Sequence, residues 1–499
     1  MFKRFYAVSL VFSVLFLLFL SGCGGTETEK PQSDVNNNGY SANDSGETGA
    51  PVMTERIQPD LPENLNYDGE TFMFLVTGPG YGFGYYETVD IYTEEQNGET
   101  LNDAVYMRNR NVEEKLNINI AEYKSDNVAG DARKTIAAGE SAYDAIFANM
   151  FDSAGMAQNH LTMNIKEILY IDLDKPWWDK NAENELSVKN KLYFTTGDIS
   201  TKVKACTRMQ IFNKKLMKDF DLGDPYEYVK NDEWTFDVYS QMVKSIYVDV
   251  NGNGEKDDDD IYGFILDSAP LWPIRSFGER LTTNDKEGYP QITIDNDRFY
   301  NAAVKVMDLY NDETVCRHID KMKFGSDFSN VYTYARALFA QDKFLFHLGL
   351  PLILDEFRNM ESDFGLLPCP KLDKNQARYY HIVDGEAVML SVPITSNAER
   401  AGTVLEAMAA ESMYTVTPAY NEVLLKRKYV RDNESEFILD IVNETRTYDL
   451  CIIFRWGGLE TLMSSVKMKD NNNPASEIEK LYDRTLKAIE KTVDAFEAE

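Results

Sequence analysis

The chain has 499 residues, 43% of them hydrophobic, enough to bury a large core in two big lobes or in two to four domains. Its formal net charge of −31 leaves no basic surface to neutralise phosphate, which excludes nucleic-acid binding and disfavours polyanionic ligands. The acid excess otherwise serves to keep molecules apart in solution.

The N-terminus reads MFKRFYAVSLVFSVLFLLFLSGCGG: Lys3 and Arg4, an apolar run from Phe5 to Leu20, then a small-residue cleavage site. About 20 apolar residues are needed to span a bilayer, so this shorter run reads as a signal peptide over residues 1–22. The tetrapeptide LSGC resembles the bacterial lipobox, which implies an acylated Cys23 and a chain anchored by lipid on the extracellular face of the cell membrane. Removing Lys3 and Arg4 takes the net charge from −31 to −33. Residues 23–59 are rich in Gly, Ser, Asn, Thr and acids, and are expected to be a disordered tether.

The folded part begins near Tyr67. Glu70–Thr77 is a strand candidate that runs into the glycine-rich GPGYGFG. Leu101–Leu116 reads as a helix, Asn117–Tyr123 as a strand, Val128–Ala138 as a helix stopped at Gly139, and Tyr143–Ala148 as a short buried strand. This alternation predicts an α/β fold with parallel sheet. The chain ends in an amphipathic helix from about Ala475, with Ile478, Leu481, Leu486, Ile489 and Val493 on one stripe. Cys206, Cys316, Cys369 and Cys451 form no C-x-x-C pair and read as buried free thiols rather than two disulfides.

Several segments taken together resemble the bacterial extracellular solute-binding proteins, family 1. They are GESAYDAIFANM, MQIFNKKLMKDFDL, NDEWTFDVYSQMVKSI, DFGLLPCPKL and VMLSVPITSNAERAGTVLEAM, in that order, over roughly residues 60–499. The resemblance implies a two-lobe periplasmic-binding-protein-like fold of type II, with hinge crossings and a central ligand cleft. Lobe 1 would comprise 60–198 plus 350–415, and lobe 2 would comprise 199–349 plus 416–499. The crossings would fall near Thr195–Thr201, near Phe346–Leu350 and after Tyr414. The implied function is capture of a carbohydrate, an oligosaccharide, by lobe closure and its delivery to the membrane subunits of an ABC importer, with the protein a monomer. A non-sugar solute such as a peptide or polyamine is the alternative, and a glycan-acting enzyme a more distant one. No G-x-S-x-G and no H-E-x-x-H occurs, and scattered carboxylate pairs are common in so acidic a chain.

The stretch DVNGNGEKDDDD has calcium-loop spacing, with Asp249, Asn251, Asn253, Glu255 (through its carbonyl), Asp257 and Asp260 at the ligand positions and Gly254 at the sharp turn. Lys256 stands where paired loops carry an apolar residue, and Asp260 where they carry Glu, so a single structural calcium is expected. On this reading chelation lowers stability and leaves ligand specificity alone.

Sugar binding calls for aromatic faces to stack on rings and planar polar groups to fix hydroxyls. The aromatic candidates lie in loop-like sequence: Trp177 and Trp178 in DKPWWDKN, Trp272 in APLWPIRSFGE, Trp456 in FRWGGLE, and Tyr85 beside Tyr81, Phe83 and Tyr86 in GPGYGFGYYE. Polar candidates are Asp198, the run Asp384, Gly385 and Glu386, and His347 and Arg275. Trp234 reads as a packing residue.

Overall fold

The computed structural model describes residues 56–266, 272–426, 433–462 and 474–498. The signal peptide, the lipidation site Cys23 and nearly all of the proposed tether lie outside these residues. Among the described residues no helix is long and apolar enough to cross a membrane.

Fourteen strands are found among the described residues. In chain order they are β1 (Thr71–Thr77), β2 (Asn119–Ser125), β3 (Ala145–Asn149), β4 (Met209–Asn213), β5 (Tyr247–Val248), β6 (Ile261–Leu266), β7 (Thr282–Asn284), β8 (Pro290–Ile292), β9 (Cys316–His318), β10 (Phe344–Gly349), β11 (Phe364–Leu367), β12 (His381–Ile382), β13 (Val388–Ser391) and β14 (Arg446–Thr447). The first sheet has the order β13-β3-β1-β2. β1 runs parallel to β2, with Thr71 opposite Asn119, and parallel to β3, while the returning β13 is antiparallel to β3. The interior of β1 is buried on both faces, as its run of Phe, Leu and Val requires. The helix Thr100–Leu116 ends where Asn117 turns left-handed at φ 48°, a cap that Asn tolerates. That turn is why β2 starts at Asn119 rather than at Asn117.

The second sheet has the order β11-β4-β10-β6-β5, with β9 also paired to β6. Its core holds Trp234, Tyr239 and Phe346 in mutual ring contact. Trp234 is a packing residue, as expected, and its Nε1–H is donated to the Pro368 carbonyl at 2.8 Å. Cys206, Cys316, Cys369 and Cys451, the four cysteines among the described residues, are buried and free.

The crossings differ from the expected positions. Thr195 still bridges Leu390 of the first sheet, so the chain has not yet left it there. It leaves beside Thr207, which bridges Val383; Asp384 N donates to the Cys206 carbonyl at 2.9 Å and Arg208 N to the Ile382 carbonyl at 2.8 Å. These two antiparallel segments form the hinge. Phe346–Leu350 makes no crossing, because β10 is hydrogen-bonded to β4 on one side and β6 on the other. Of the residues expected in lobe 1, those from 350 through β11 therefore stay with the second sheet, where β11 pairs with β4, and the chain rejoins the first sheet only at β13. The helix Val416–Lys426 packs on Thr100–Leu116 and Ala398–Tyr414, so the first lobe extends past Tyr414.

Candidate functional site

A cleft of about 570 Å³ opens beside the hinge. The first lobe contributes the loop after β1, with Tyr81, Gly82, Tyr85 and Tyr86, and Asn149 at the end of β3. The hinge contributes Arg208, Asp384 and Glu386. The second lobe contributes strand ends (Ile265, His347–Leu350), Trp272, and the helix Val331–Ala340 with Tyr332, Ala335 and Arg336. Ligands of open α/β sheets bind beyond the carboxyl ends of strands, and β1, β3, β6 and β10 all end at this cleft.

The polar groups of the cleft are bonded to one another. Glu386 Oε2 accepts from Tyr81 Oη at 3.1 Å and from Asn149 Nδ2 at 3.0 Å. Burial, and then the Glu386 charge, push the Tyr81 phenol well above its ordinary pKa, so it stays a donor. Arg208 pairs with Asp384 at 2.8 Å, and Asp384 also accepts the Glu386 N–H at 3.0 Å. On the far wall, Arg336 pairs with Glu356 at 2.6 Å, donates to Tyr85 Oη at 2.7 Å and lies 5.2 Å from that ring's centre. This contact reaches from one lobe to the other. Burial, with help from Arg336 and Arg208, holds His347 down to about pKa 3, so its imidazole is neutral at pH 7.

Five of the predicted ligand contacts thus meet in one place: Trp272, Tyr85, His347, Asp384 and Glu386. The others do not line the cleft. Trp177 and Trp178 are buried, and both donate their indole N–H to Glu406, at 3.1 and 2.8 Å. Trp456 is buried, stacked on Phe454 at 5.3 Å, with Nε1–H on Thr492 at 2.8 Å. Asp198 is held by Lys204 and by Thr417 Oγ1 at 2.8 Å. Arg275 does not line the cleft; burial, opposed by the charge of Asp449, lowers its pKa to about 10. Gly385 is a close-approach glycine: a Cβ there would stand 2.3 Å from the Phe151 ring. Arg208, Arg336, Asn149, Asn330 and Tyr332 were not anticipated, nor was the aliphatic floor of Ile265, Ile319, Leu348, Leu352 and Ile353.

In the Asp249–Asp260 loop the side chains of Asp249, Asn251, Asn253 and Asp257 bond within the loop. Asp249 accepts from the N–H of Gly252 and Gly254, at 2.7 and 2.9 Å, and Asp257 accepts from the amides of Asn251 and Asn253, at 3.1 and 2.8 Å. Asn251 accepts the Asn253 N–H, Asn253 accepts the Glu255 N–H, and Asp260 is buried against Tyr247. Among the described residues no group of three or more His, Cys, Asp or Glu side chains is gathered as a metal cage.

No family model matches the chain. No curated protein matches it. Solved structures do. One is the ABC substrate-binding protein Lmo0181 from Listeria monocytogenes in complex with cycloalternan, at 12% identity and TM-score 0.54, covering 85% of this chain and 100% of that one. Another is the sugar-binding protein MalE from Xanthomonas citri, at 14% identity and TM-score 0.55, covering 86% and 100%. A third is a cyclo/maltodextrin-binding protein complexed with maltotetraose, at 13% identity and TM-score 0.53, covering 86% and 96%. At such identities the likeness establishes the fold: a two-lobe, periplasmic-binding-protein-like α/β fold.

Proposed function

We propose that this protein is a solute-binding protein that captures a carbohydrate, an oligosaccharide, between its lobes and hands it to an ABC importer, without chemically changing it. The observation that carries this reading is the cleft. Tyr81, Tyr85, Tyr86, Trp272 and Tyr332 supply ring faces, and Arg208, Asn149, Asp384 and Glu386 supply planar polar groups at its hinge end. A ligand touching both walls favours closure by its differential affinity. Acylation at Cys23 would anchor the chain, as a monomer, on the outer face of the membrane, with residues 23–59 as tether. On this reading the chain is a member of the extracellular solute-binding proteins, family 1.

The aliphatic floor favours a second reading, a solute with an apolar part such as a peptide, because sugar hydroxyls against Leu and Ile find no partners. A thermal-shift screen with oligosaccharides and peptides decides between them. A ligand at about 100 Kd adds about 2.7 kcal/mol of stability. A shift from one glycan class, with the glycan recovered intact, supports capture. A shift from peptides alone overturns the sugar reading, and cleavage of the glycan overturns the binding-protein reading.

The Asp249–Asp260 loop is proposed to hold one calcium ion structurally. Asp249, Asp257 and Asp260 would supply charge, and Asn251, Asn253 and the Glu255 carbonyl neutral oxygen, once the two amides turn their oxygens inward from the arrangement above. Chelation is expected to lower the melting temperature. An unchanged midpoint with and without millimolar calcium sinks the idea.

A further inference from the structure

We propose that Asp258 is a positioning residue for the ligand cleft, through which the 249–260 loop holds one cleft wall in place. Asp258 is not one of the loop's ligand positions, and its side chain turns inward, 15% exposed, while Asn251 and Asn253 face solvent. Its Oδ1 accepts from Arg317 Nε at 2.8 Å. Its Oδ2 accepts from the Lys323 N–H and from Tyr334 Oη, each at 3.3 Å. Arg317 ties the same junction from the other side, donating to the Lys256 carbonyl at 2.9 Å and to the Lys321 carbonyl at 3.2 Å.

One carboxylate thus fastens three points along residues 317–334. That segment and the helical turn after it carry Ile319, Asn330, Tyr332, Ala335 and Arg336, all of which line the cleft. Tyr334 is two residues from Tyr332 and packs on Phe328 at 5.1 Å. Between Met322 and Asn330 the chain forms no helix or strand, so no regular backbone ladder fixes this stretch. The helix beginning at Val331 also carries Arg336, whose bond to Tyr85 crosses to the other lobe. Loosening Asp258 therefore loosens both a cleft wall and an interlobe contact. The loop is thereby coupled to the cleft. If the loop holds an ion, ion and ligand affinities are reciprocally linked.

The inference rests on the cleft reading only in treating this wall as ligand-facing, and its test needs no ligand. Hydrogen exchange is followed by mass spectrometry on the full chain, as wild type, Asp258→Ala, Tyr334→Phe, the double variant and the control Asp259→Asn. Exchange over Lys323–Arg336 is expected to rise about tenfold in Asp258→Ala, with a smaller rise in Tyr334→Phe and none in the control. The double variant is expected to match Asp258→Ala, because both changes remove one shared interaction. Exchange at Gly82–Tyr86, across the cleft, is expected to rise as well, while β1 is unaffected. Unchanged exchange over Lys323–Arg336 overturns the proposal. Fully multiplicative effects in the double variant overturn it too. A rise spread equally over β1 and β6 assigns Asp258 a purely structural role and also overturns it.

Discussion

Replacing Glu406 by leucine is expected to lower stability by about 3–5 kcal/mol, read from the midpoint of denaturant unfolding, because two buried indole N–H groups lose their acceptor. Glu406 lies in the helix Ala398–Tyr414 and is itself buried. Its carboxylate takes the N–H of Trp177 and Trp178 and, at 3.3 Å, the backbone N–H of Asp172. Burial outweighs these donors and raises its pKa from the ordinary 4.5 to about 7. Between those two values the folded state binds more protons than the unfolded one. The contribution is therefore fully present below pH 4.5 and is lost as pH rises through about 7. Glu406→Gln keeps one acceptor and cannot titrate. Its stability relative to wild type should improve by on the order of 2–3 kcal/mol between pH 4 and pH 8. A Glu406→Leu protein as stable as wild type would show that the indoles find other acceptors.

The same cluster shows where sequence reasoning stops. Two adjacent tryptophans after a proline look like loop aromatics, and nothing within ten residues says otherwise. Their partner stands more than 200 positions downstream, in a helix whose other buried positions are mostly apolar or small. By contrast, the alternation from β1 to β3 was legible, because local hydrophobic period decides strand against helix. Tyr85 was legible because the ends of strands in an α/β sheet are where ligands go, and Asp384 and Glu386 because they stand just before the returning strand β13. Arg208 and Arg336 were not, since any arginine of an acidic chain finds a carboxylate somewhere. Only the hinge pairing with Asp384, and the cross-lobe contact with Tyr85, bring these two to the cleft. The crossing points were misplaced for a related reason: β10 reads as an apolar strand in either lobe, and only its two hydrogen-bonded neighbours show which sheet it completes.

Glu386→Ala is expected to weaken binding of the solute identified by the screen at least about 100-fold, while the ligand-free protein changes by less than about 1 kcal/mol. The asymmetry follows from where the side chain sits. Glu386 is half-buried at the hinge end of the cleft, and without it the buried Asn149 amide keeps its bond to Tyr81 Oη. Its removal does strip the carboxylate acceptor from Tyr81 and Asn149, which come from two different segments of the first lobe. Those groups are then free to turn, and the ligand must both order them and forgo a charged hydrogen bond, worth about 1.5–3 kcal/mol by itself. Glu386→Gln separates the two contributions. It retains the shape and one acceptor, so a loss near that of alanine assigns the effect to charge, and a loss of under about tenfold assigns it to positioning of Tyr81. Titration calorimetry of all three proteins reads both. Affinities within threefold of one another would place the ligand elsewhere, on the Arg336 and Tyr332 wall, and leave Glu386 as a brace between β3 and the hinge.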